Sequence, residues 1–228
     1  MEKQEVTRDY RMGDPILIGK CIEVHAFMQR DAAPFNDFNV MAPDIAAFND
    51  NINAFQDIET DEELQGVVSE YTELKDAKAD EVKVAVRAIL TRAQNKFGLG
   101  TARYKKFGTK GMDAFDDLQL LACSKRVKRV AEGFLALLGA VGLTAAMITA
   151  LDVLNEAFEK TIEDQRDAIA DRDIATEDRI EQANALYKLL VDYCTIGKNI
   201  WVTTDEAKYN DYVIYDTPTG AAPPVVTP

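Results

Sequence analysis

Histidine, cysteine and tryptophan are scarce in this chain of 228 residues, which has one His, three Cys and one Trp. A di-iron centre in a helical bundle takes two Glu-x-x-His motifs, so a single histidine excludes that class of metal site. A Ser-His-Asp or Cys-His arrangement would have to use His25, whose apolar neighbours favour a core or boundary position instead. The sequence therefore predicts a protein that is not an enzyme and that carries no cofactor and no metal.

The three cysteines, Cys21, Cys123 and Cys194, lie far apart in the sequence and form no C-x-x-C pair. An odd number of isolated cysteines argues against a disulfide framework and favours buried thiols in a reducing compartment. Residues 1–11 carry charges of both signs and lack the apolar stretch of a secretory signal. We therefore expect a cytoplasmic location.

One long apolar run, residues 133–151, carries no charge and meets the length rule for a membrane span. Gly142 and Thr144 divide this run, because they are typical of a helix stop followed by a new N-cap. Both flanking segments continue as amphipathic helices, so we interpret the run as two core segments of a bundle rather than as a membrane helix.

Basic residues are fewer than acidic ones, with 26 Lys and Arg against 39 Asp and Glu, so the net charge is -13. A phosphate backbone would be repelled by such a surface, so nucleic acid is not an expected partner. A local basic patch could still attract an anion.

Apolar residues recur at three- and four-residue steps through most of the chain, which predicts an all-α fold. The predicted architecture is an antiparallel bundle of long helices with a basic, Gly-rich inter-helix loop and an extended C-terminal tail. The very short connection at Gly142 supports it, because such a connection joins antiparallel neighbours. We expect a domain at residues 14–198, an N-terminal arm at 1–13 and an extended, Pro-rich tail at 199–228.

Capping residues predict where the helices begin and end. Thr60 and Glu63 form a capping box at the start of a long helix, which ends before Gly98. The other predicted features are N-caps at Asp14, Asp113 and Thr144, a loop over residues 32–38, and a break at Thr176. In the tail, residues 212–215 have strand propensity and residues 217–228 favour an extended polyproline II conformation.

The segment at residues 97–111 is rich in Gly and holds four cations and no acid. The cations are Arg103, Lys105, Lys106 and Lys110. A Gly-rich backbone with Lys can hold phosphate, but the P-loop pattern fails because Lys110 is followed by Gly111 and a helix precedes the segment. A different interpretation is that this basic loop docks on the acidic region at residues 44–81 of another copy.

Two further charged segments are interpreted as solvated helix faces. Residues 125–129 form a basic cluster without the context that a nucleic-acid site needs. Residues 171–178 are rich in carboxylates, but Thr176 and Gln182 stand where a calcium loop requires Gly and Glu.

The first hypothesis is a non-enzymatic structural or assembly protein that forms a homo-oligomer or filament. Its expected partners are other copies of itself and other subunits of an assembly. Contacts between copies would use helix packing, the basic loop and the terminal arms. The candidate contact residues are Arg103, Lys105, Lys106, Lys110, Tyr212, Ile214 and Tyr215. The alternative hypothesis is a module that binds a small anion or a phosphate ligand through the loop at 97–111.

Overall fold

The computed structural model describes residues 6–215, in which the backbone forms helices and no strand. The fold is an all-α helical bundle, which confirms the predicted class. The α-helices are α1 (Asp14–Arg30), α2 (Ala32–Asn36), α3 (Ala42–Gln56), α4 (Asp61–Phe97), α5 (Ala102–Lys105), α6 (Asp117–Leu138), α7 (Ala145–Trp201) and α8 (Glu206–Asp211). Short 3-10 helices cover Met112–Ala114 and Gly139–Val141.

The residues group into two compact units. Unit 1 comprises Met1–Glu59 and Ala175–Pro228, and unit 2 comprises Thr60–Ile174. The helix α7 contributes its first part to unit 2 and its remainder to unit 1. The domain bounds expected from the sequence stay a prediction, and the two units are described separately.

The core of unit 1 is formed where α1 and α3 pack together with the second part of α7. Leu17 of α1, Phe48 of α3 and Leu190 of α7 are almost completely buried in it. The N-terminal arm joins this unit, because Asn184 accepts a hydrogen bond from the backbone N–H of Asp9 at 2.9 Å. The described part of the arm is therefore packed against its own chain.

The core of unit 2 is formed by α4, α6 and the first part of α7. Val86 of α4, Val127 of α6 and Leu151 of α7 are fully buried in it. The apolar run at 133–151 supplies core residues on both sides of Gly142, as predicted. Within residues 6–215, no helix combines the length and the apolar composition needed to cross a bilayer.

Several predicted helix boundaries are confirmed. The capping box of α4 is complete, with the N–H of Glu63 donating to Thr60 Oγ1 and the N–H of Thr60 donating to Glu63 Oε2. Gly98 ends α4 with φ 80°, and Gly142 takes a left-handed conformation with φ 83°. Thr144 Oγ1 accepts the N–H of Met147 at the start of α7.

Four local predictions are wrong. The N-cap of α6 is Asp116 and not Asp113, because a 3-10 helix occupies residues 112–114. The N-cap of α1 is Gly13, while Asp14 turns inward to an ion pair with Arg179. The expected loop at 32–38 contains α2. No break occurs at Thr176, since α7 continues through a stretch that has neither Gly nor Pro.

The described part of the C-terminal tail is folded rather than extended. The helix α7 continues to Trp201, α8 follows, and residues 212–215 form no strand, so the predicted strand is wrong. The physical reason is burial, because the ring of Tyr212 packs against Gly197 and its hydroxyl reaches Asp31. The predicted polyproline II segment at 217–228 lies outside the described residues.

Candidate functional site

The loop at 97–111 is shaped by glycines and one short helix. Gly98, Gly108 and Gly111 all have positive φ, the backbone region that side chains disfavour. Between them α5 forms a single turn, capped by Thr101, whose Oγ1 accepts the N–H of Tyr104 at 3.3 Å. The sequence pattern therefore gives a segment with defined backbone geometry.

An aromatic cluster fixes this loop to the helices of unit 2. The ring centroids of Phe97 on α4 and Phe134 on α6 are 5.1 Å apart, and Phe107 of the loop lies 6.4 Å from Phe134. Phe107 is fully buried and also contacts Tyr104, at 6.3 Å between ring centroids. The loop is thus a packed part of the bundle end.

Two of the predicted cations lie over this cluster. The guanidinium of Arg103 is 5.7 Å from the centroid of the Phe97 ring, and the ammonium of Lys106 is 5.7 Å from that of Phe134. Cations in this position are held by the electron-rich faces of the rings. The rings therefore hold these two side chains in place, and no carboxylate of the described residues neutralises their charge.

The other two predicted cations, Lys105 and Lys110, line an open pocket with a volume of about 370 Å³. Its other lining residues are Leu99, Tyr104, Gly108 and Thr109. The ammonium group of neither lysine forms a hydrogen bond or an ion pair with any residue of the described part of the chain. Both ammonium groups are exposed and available to an external partner.

The structure adds Arg126 of α6 to these residues. Its guanidinium donates to the carbonyl of Gly108 at 3.3 Å. A Cβ at position 108 would lie 2.5 Å from Arg126 Nη1, so the absence of a side chain at Gly108 permits this contact. The basic cluster at 125–129 was the only signal in the sequence for Arg126. We call Arg103, Lys105, Lys106, Lys110 and Arg126 the basic surface.

The rest of that basic cluster is partly neutralised. Lys125 forms an ion pair with Glu159 at 2.7 Å, and Lys128 forms one with Asp152 at 2.6 Å. These pairs join α6 to α7, in agreement with the solvated face predicted from the sequence. Arg126 has no carboxylate partner among residues 6–215, which sets it apart from these two lysines.

The basic surface lies in the most basic part of the chain. Residues 82–130 contain twelve Lys and Arg and only three acids, although the whole chain has a net charge of -13. All three acids are engaged elsewhere: Asp113 pairs with Arg87, Asp117 pairs with Lys75, and Asp116 caps α6. Positive charge is therefore concentrated in this segment of the sequence.

The predicted tail residues belong to unit 1 and contact their own chain. Tyr212 is completely buried, and its hydroxyl donates to Asp31 Oδ2 at 3.0 Å. Ile214 packs against the same core, and Tyr215 is 47% exposed with its hydroxyl 3.3 Å from that of Tyr187. Tyr212 is consequently not accessible to another copy in this conformation.

The groups considered for catalysis in the sequence are His25 and the three cysteines, and all three cysteines are buried. His25 is half-buried, with its ring 6.4 Å from that of Phe48. Burial raises the pKa of Cys21 and of Cys194 to about 12, and it also raises the pKa of Cys123. Among residues 6–215, no three His, Cys, Asp or Glu side chains are grouped so that they could hold a metal ion.

The basic surface is therefore the arrangement in the described residues best suited to an external partner, and its chemistry is the attraction of negative charge. Comparison of the chain with protein families, curated proteins and solved structures finds no match.

Proposed function

We propose that the protein is a non-enzymatic assembly protein that self-associates through the basic surface of unit 2. The observation that supports this proposal is that the five cations of this surface have no carboxylate partner among the described residues. In a chain with a net charge of -13, another copy offers abundant negative charge. Other subunits of an assembly would be recognised by the same chemistry.

Electrostatic interactions favour one specific contact between two copies over non-specific association. Two copies repel each other on average because both are acidic, so attraction is confined to orientations in which the basic surface meets acids. Charge complementarity of this kind mainly sets orientation and association rate. The aromatic cluster supports such a contact, since it positions the loop before a partner arrives and reduces the entropy lost on binding.

The proposed contact joins two different surfaces, one basic and one acidic. Such a heterologous contact produces a ring when the rotation closes and a filament when it does not. The terminal arms have a smaller role in this proposal than the sequence suggested, because Tyr212 is buried in its own chain. We also propose a reducing, cytoplasmic environment, in keeping with three free and buried cysteines.

The test is the oligomeric state of the full chain, measured by light scattering coupled to size exclusion at low and at high salt. We expect wild-type oligomers that dissociate as salt is added and a Lys105→Glu/Lys110→Glu variant that is monomeric. The matched control is Arg11→Glu/Lys188→Glu, which reverses two exposed charges of unit 1 and should associate like the wild type. A wild type that is monomeric in all conditions, or a loop variant that associates normally, would contradict the proposal.

A small anion is the second candidate partner, and the pocket of about 370 Å³ favours it. Lys105, Lys110 and Thr109 all line this pocket, and phosphate is bound by ammonium and hydroxyl donors. If the protein is an anion-binding module, inorganic phosphate or pyrophosphate should raise the melting temperature of a monomeric wild type. The increase should disappear in Lys105→Ala/Lys110→Ala, whereas sodium chloride at equal ionic strength controls for general salt effects.

A further inference from the structure

An apolar stripe on the first half of α4 is half-buried at Leu64 and exposed to solvent from Val67 to Leu74. Leu64, Val67, Tyr71 and Leu74 follow one another at steps of three, four and three residues, the spacing of core positions in a coiled coil. Val67 is 44% exposed and Leu74 is 57% exposed. A stripe with this spacing is normally covered by another helix, so its exposure indicates a surface for a partner.

The stripe lies where α4 extends past α6. The salt bridge from Lys75 Nζ to Asp117 Oδ2, at 2.7 Å, marks the level at which α6 begins beside α4. Earlier in α4 the side-chain contacts go to α7 instead, with Gln165 Nε2 donating to Thr72 Oγ1 at 2.7 Å. Two helices pair over this stretch, and their outer side has no cover among the described residues.

A groove with an apolar floor and an acidic wall runs along this stretch. Its apolar floor is made by Leu64, Val67 and Tyr71 of α4. Its wall belongs to α7 and holds three carboxylates and one cation, and the groove has a volume of about 210 Å³. These residues are Asp164, Asp167, Ala168, Asp171 and Arg172. We call the three floor residues and these five wall residues the α4–α7 groove.

Two of the three carboxylates in the groove are unpaired, and its one cation, Arg172, pairs with Asp173 and donates to Gln65 Oε1. Asp164 pairs with Lys160. Asp167 and Asp171 form no salt bridge with any of the described residues. An occupant of this groove should therefore bring an apolar side chain between positive charges.

The basic loop of unit 2 has that composition. Leu99 is 58% exposed and lines the same pocket as Lys105 and Lys110. An exposed leucine that shares a pocket with two unpaired ammonium groups is the chemical complement of an apolar floor that shares a groove with two unpaired carboxylates. Since the loop and the groove occur on every copy, one copy can present the loop while the next presents the groove.

We propose that the α4–α7 groove of one copy receives Leu99 and the flanking lysines of the basic loop from a second copy. This inference rests on the proposed self-association and names the acidic surface that takes part in it. Leu99 would bury against Val67 and Tyr71, while Lys105 and Lys110 would pair with Asp167 and Asp171. Repetition of the contact links copies head to tail.

Charge exchange between the two surfaces tests the pairing. The groove variant is Asp167→Lys/Asp171→Lys, and the loop variant is Lys105→Glu/Lys110→Glu. Each alone should weaken self-association by roughly tenfold or more, because like charges then face each other. An equimolar mixture of the two variants should recover association, as should a single chain carrying all four substitutions. Light scattering measures the mass, and circular dichroism verifies that each variant keeps its helices.

The outcomes separate this inference from the proposed function. One outcome is that the loop variant is monomeric and the groove variant associates like the wild type. The basic surface would then act in assembly but bind a different acidic surface. That result would overturn the inference that the groove receives the loop. A mixture that stays monomeric overturns the pairing as well. A wild type that is monomeric throughout overturns both proposals.

A second measurement leaves all native charges in place. A photoreactive benzoylphenylalanine at position 99 should cross-link to a peptide containing residues 64–74 of another copy, identified by mass spectrometry. The same group at the exposed Val84, on the later part of α4, is the control and should give no such cross-link. Cross-links from position 99 that map mainly to other peptides would overturn the inference.

Discussion

Cations in two regions of the molecule have different partners. In unit 1, Arg30 and Lys208 both bind the carboxylate of Asp31, at 2.7 Å and 3.4 Å. Trp201 and Tyr212 donate to the same carboxylate, at 3.2 Å and 3.0 Å. In unit 2, the cations of the basic surface have no carboxylate partner among the described residues.

The charged side chains around Asp31 stabilise the fold, whereas those of the basic surface are available to bind a partner. Asp31 is only 2% exposed, so its donors must remain in place to compensate its desolvation. Lys105 and Lys110 are exposed, so water solvates them and folding does not depend on their position. Substitutions should therefore have large effects on stability around Asp31 and small ones in the basic surface.

The largest effect should come from Asp31→Ala. The variant removes the acceptor of the buried Tyr212 hydroxyl and of the Trp201 N–H, and it leaves Arg30 without its closest anion. We expect a loss of about 3 kcal/mol in the free energy of unfolding, since unsatisfied buried donors carry their full desolvation cost. Urea unfolding followed by circular dichroism measures the loss. A loss below that of an ordinary surface substitution would show that α8 is not held by this carboxylate.

The second-largest loss of stability is expected from Gly197→Ala in α7. A Cβ at this position would lie 2.3 Å from Cγ of Tyr212, inside the van der Waals radii. Since the ring is fully buried, it can avoid the Cβ only by leaving its place, and we expect a loss of about 2 kcal/mol.

The control for Gly197→Ala is Gly66→Ala in α4, where a Cβ meets nothing within 4 Å. Alanine favours the helix, so this variant should gain about 0.5 kcal/mol. Thermal unfolding of both variants gives the comparison. Equal effects at the two positions would contradict the packing of Tyr212 against Gly197.

A smaller loss of stability is expected when the pH is lowered. Burial of Asp31 raises the pKa of its carboxyl, but hydrogen bonds from Arg30 and Tyr212 outweigh burial and hold this pKa below its usual value. A carboxyl whose pKa is lower in the folded state stabilises the fold above the unfolded pKa. That stability is lost as the pH falls through the folded pKa. The melting temperature should therefore decrease when the pH is lowered below about 4.

Two variants identify the group responsible for the acid effect. Asp31→Asn should reduce the dependence of the melting temperature on pH, because position 31 no longer titrates. Asp50→Asn, which changes an exposed carboxyl on α3, should leave the wild-type dependence. If Asp31→Asn keeps the full acid transition, other carboxylates cause it.

Local signals in the sequence predicted several helix ends that are set by neighbouring residues, although the equally local capping box of Asp116 and Gln119 at α6 was missed. The capping box at Thr60 and the left-handed Gly142 depend only on nearby chain, and both were predicted correctly. Asp14 accepts hydrogen bonds from the nearby Arg8 and Tyr10 and also from Arg179. Arg179 is 165 residues away, and no local pattern contains that contact. The strand predicted at 212–215 failed for the same reason, because Tyr212 is fixed by Asp31 and Gly197.

The candidate site shows the same limit. Composition alone identified Arg103, Lys105, Lys106 and Lys110 in the loop. Arg126 was seen only as part of a basic cluster, because its contact with Gly108 depends on how the loop folds back on α6. The groove residues were missed, since Leu64, Val67 and Tyr71 continue the helical spacing of a core face. Only the exposure of Val67 and Tyr71 distinguishes them from the buried residues of the same helix, and Leu64 is half-buried.

The smallest effect on stability is expected from Lys105→Ala/Lys110→Ala in the basic surface. Neither ammonium group has a partner among residues 6–215, so the free energy of unfolding should change by less than about 0.5 kcal/mol. Lys208→Ala in unit 1 is the matched comparison. Lys208 lies 3.9 Å from the Trp201 ring and bonds Asp31, so its loss should cost about 1 kcal/mol. Urea unfolding should use dilute protein, because self-association would stabilise the wild type but not the loop variant. A loop variant as unstable as Lys208→Ala in dilute solution would mean that these lysines support the fold, and the distinction between the two regions would then fail.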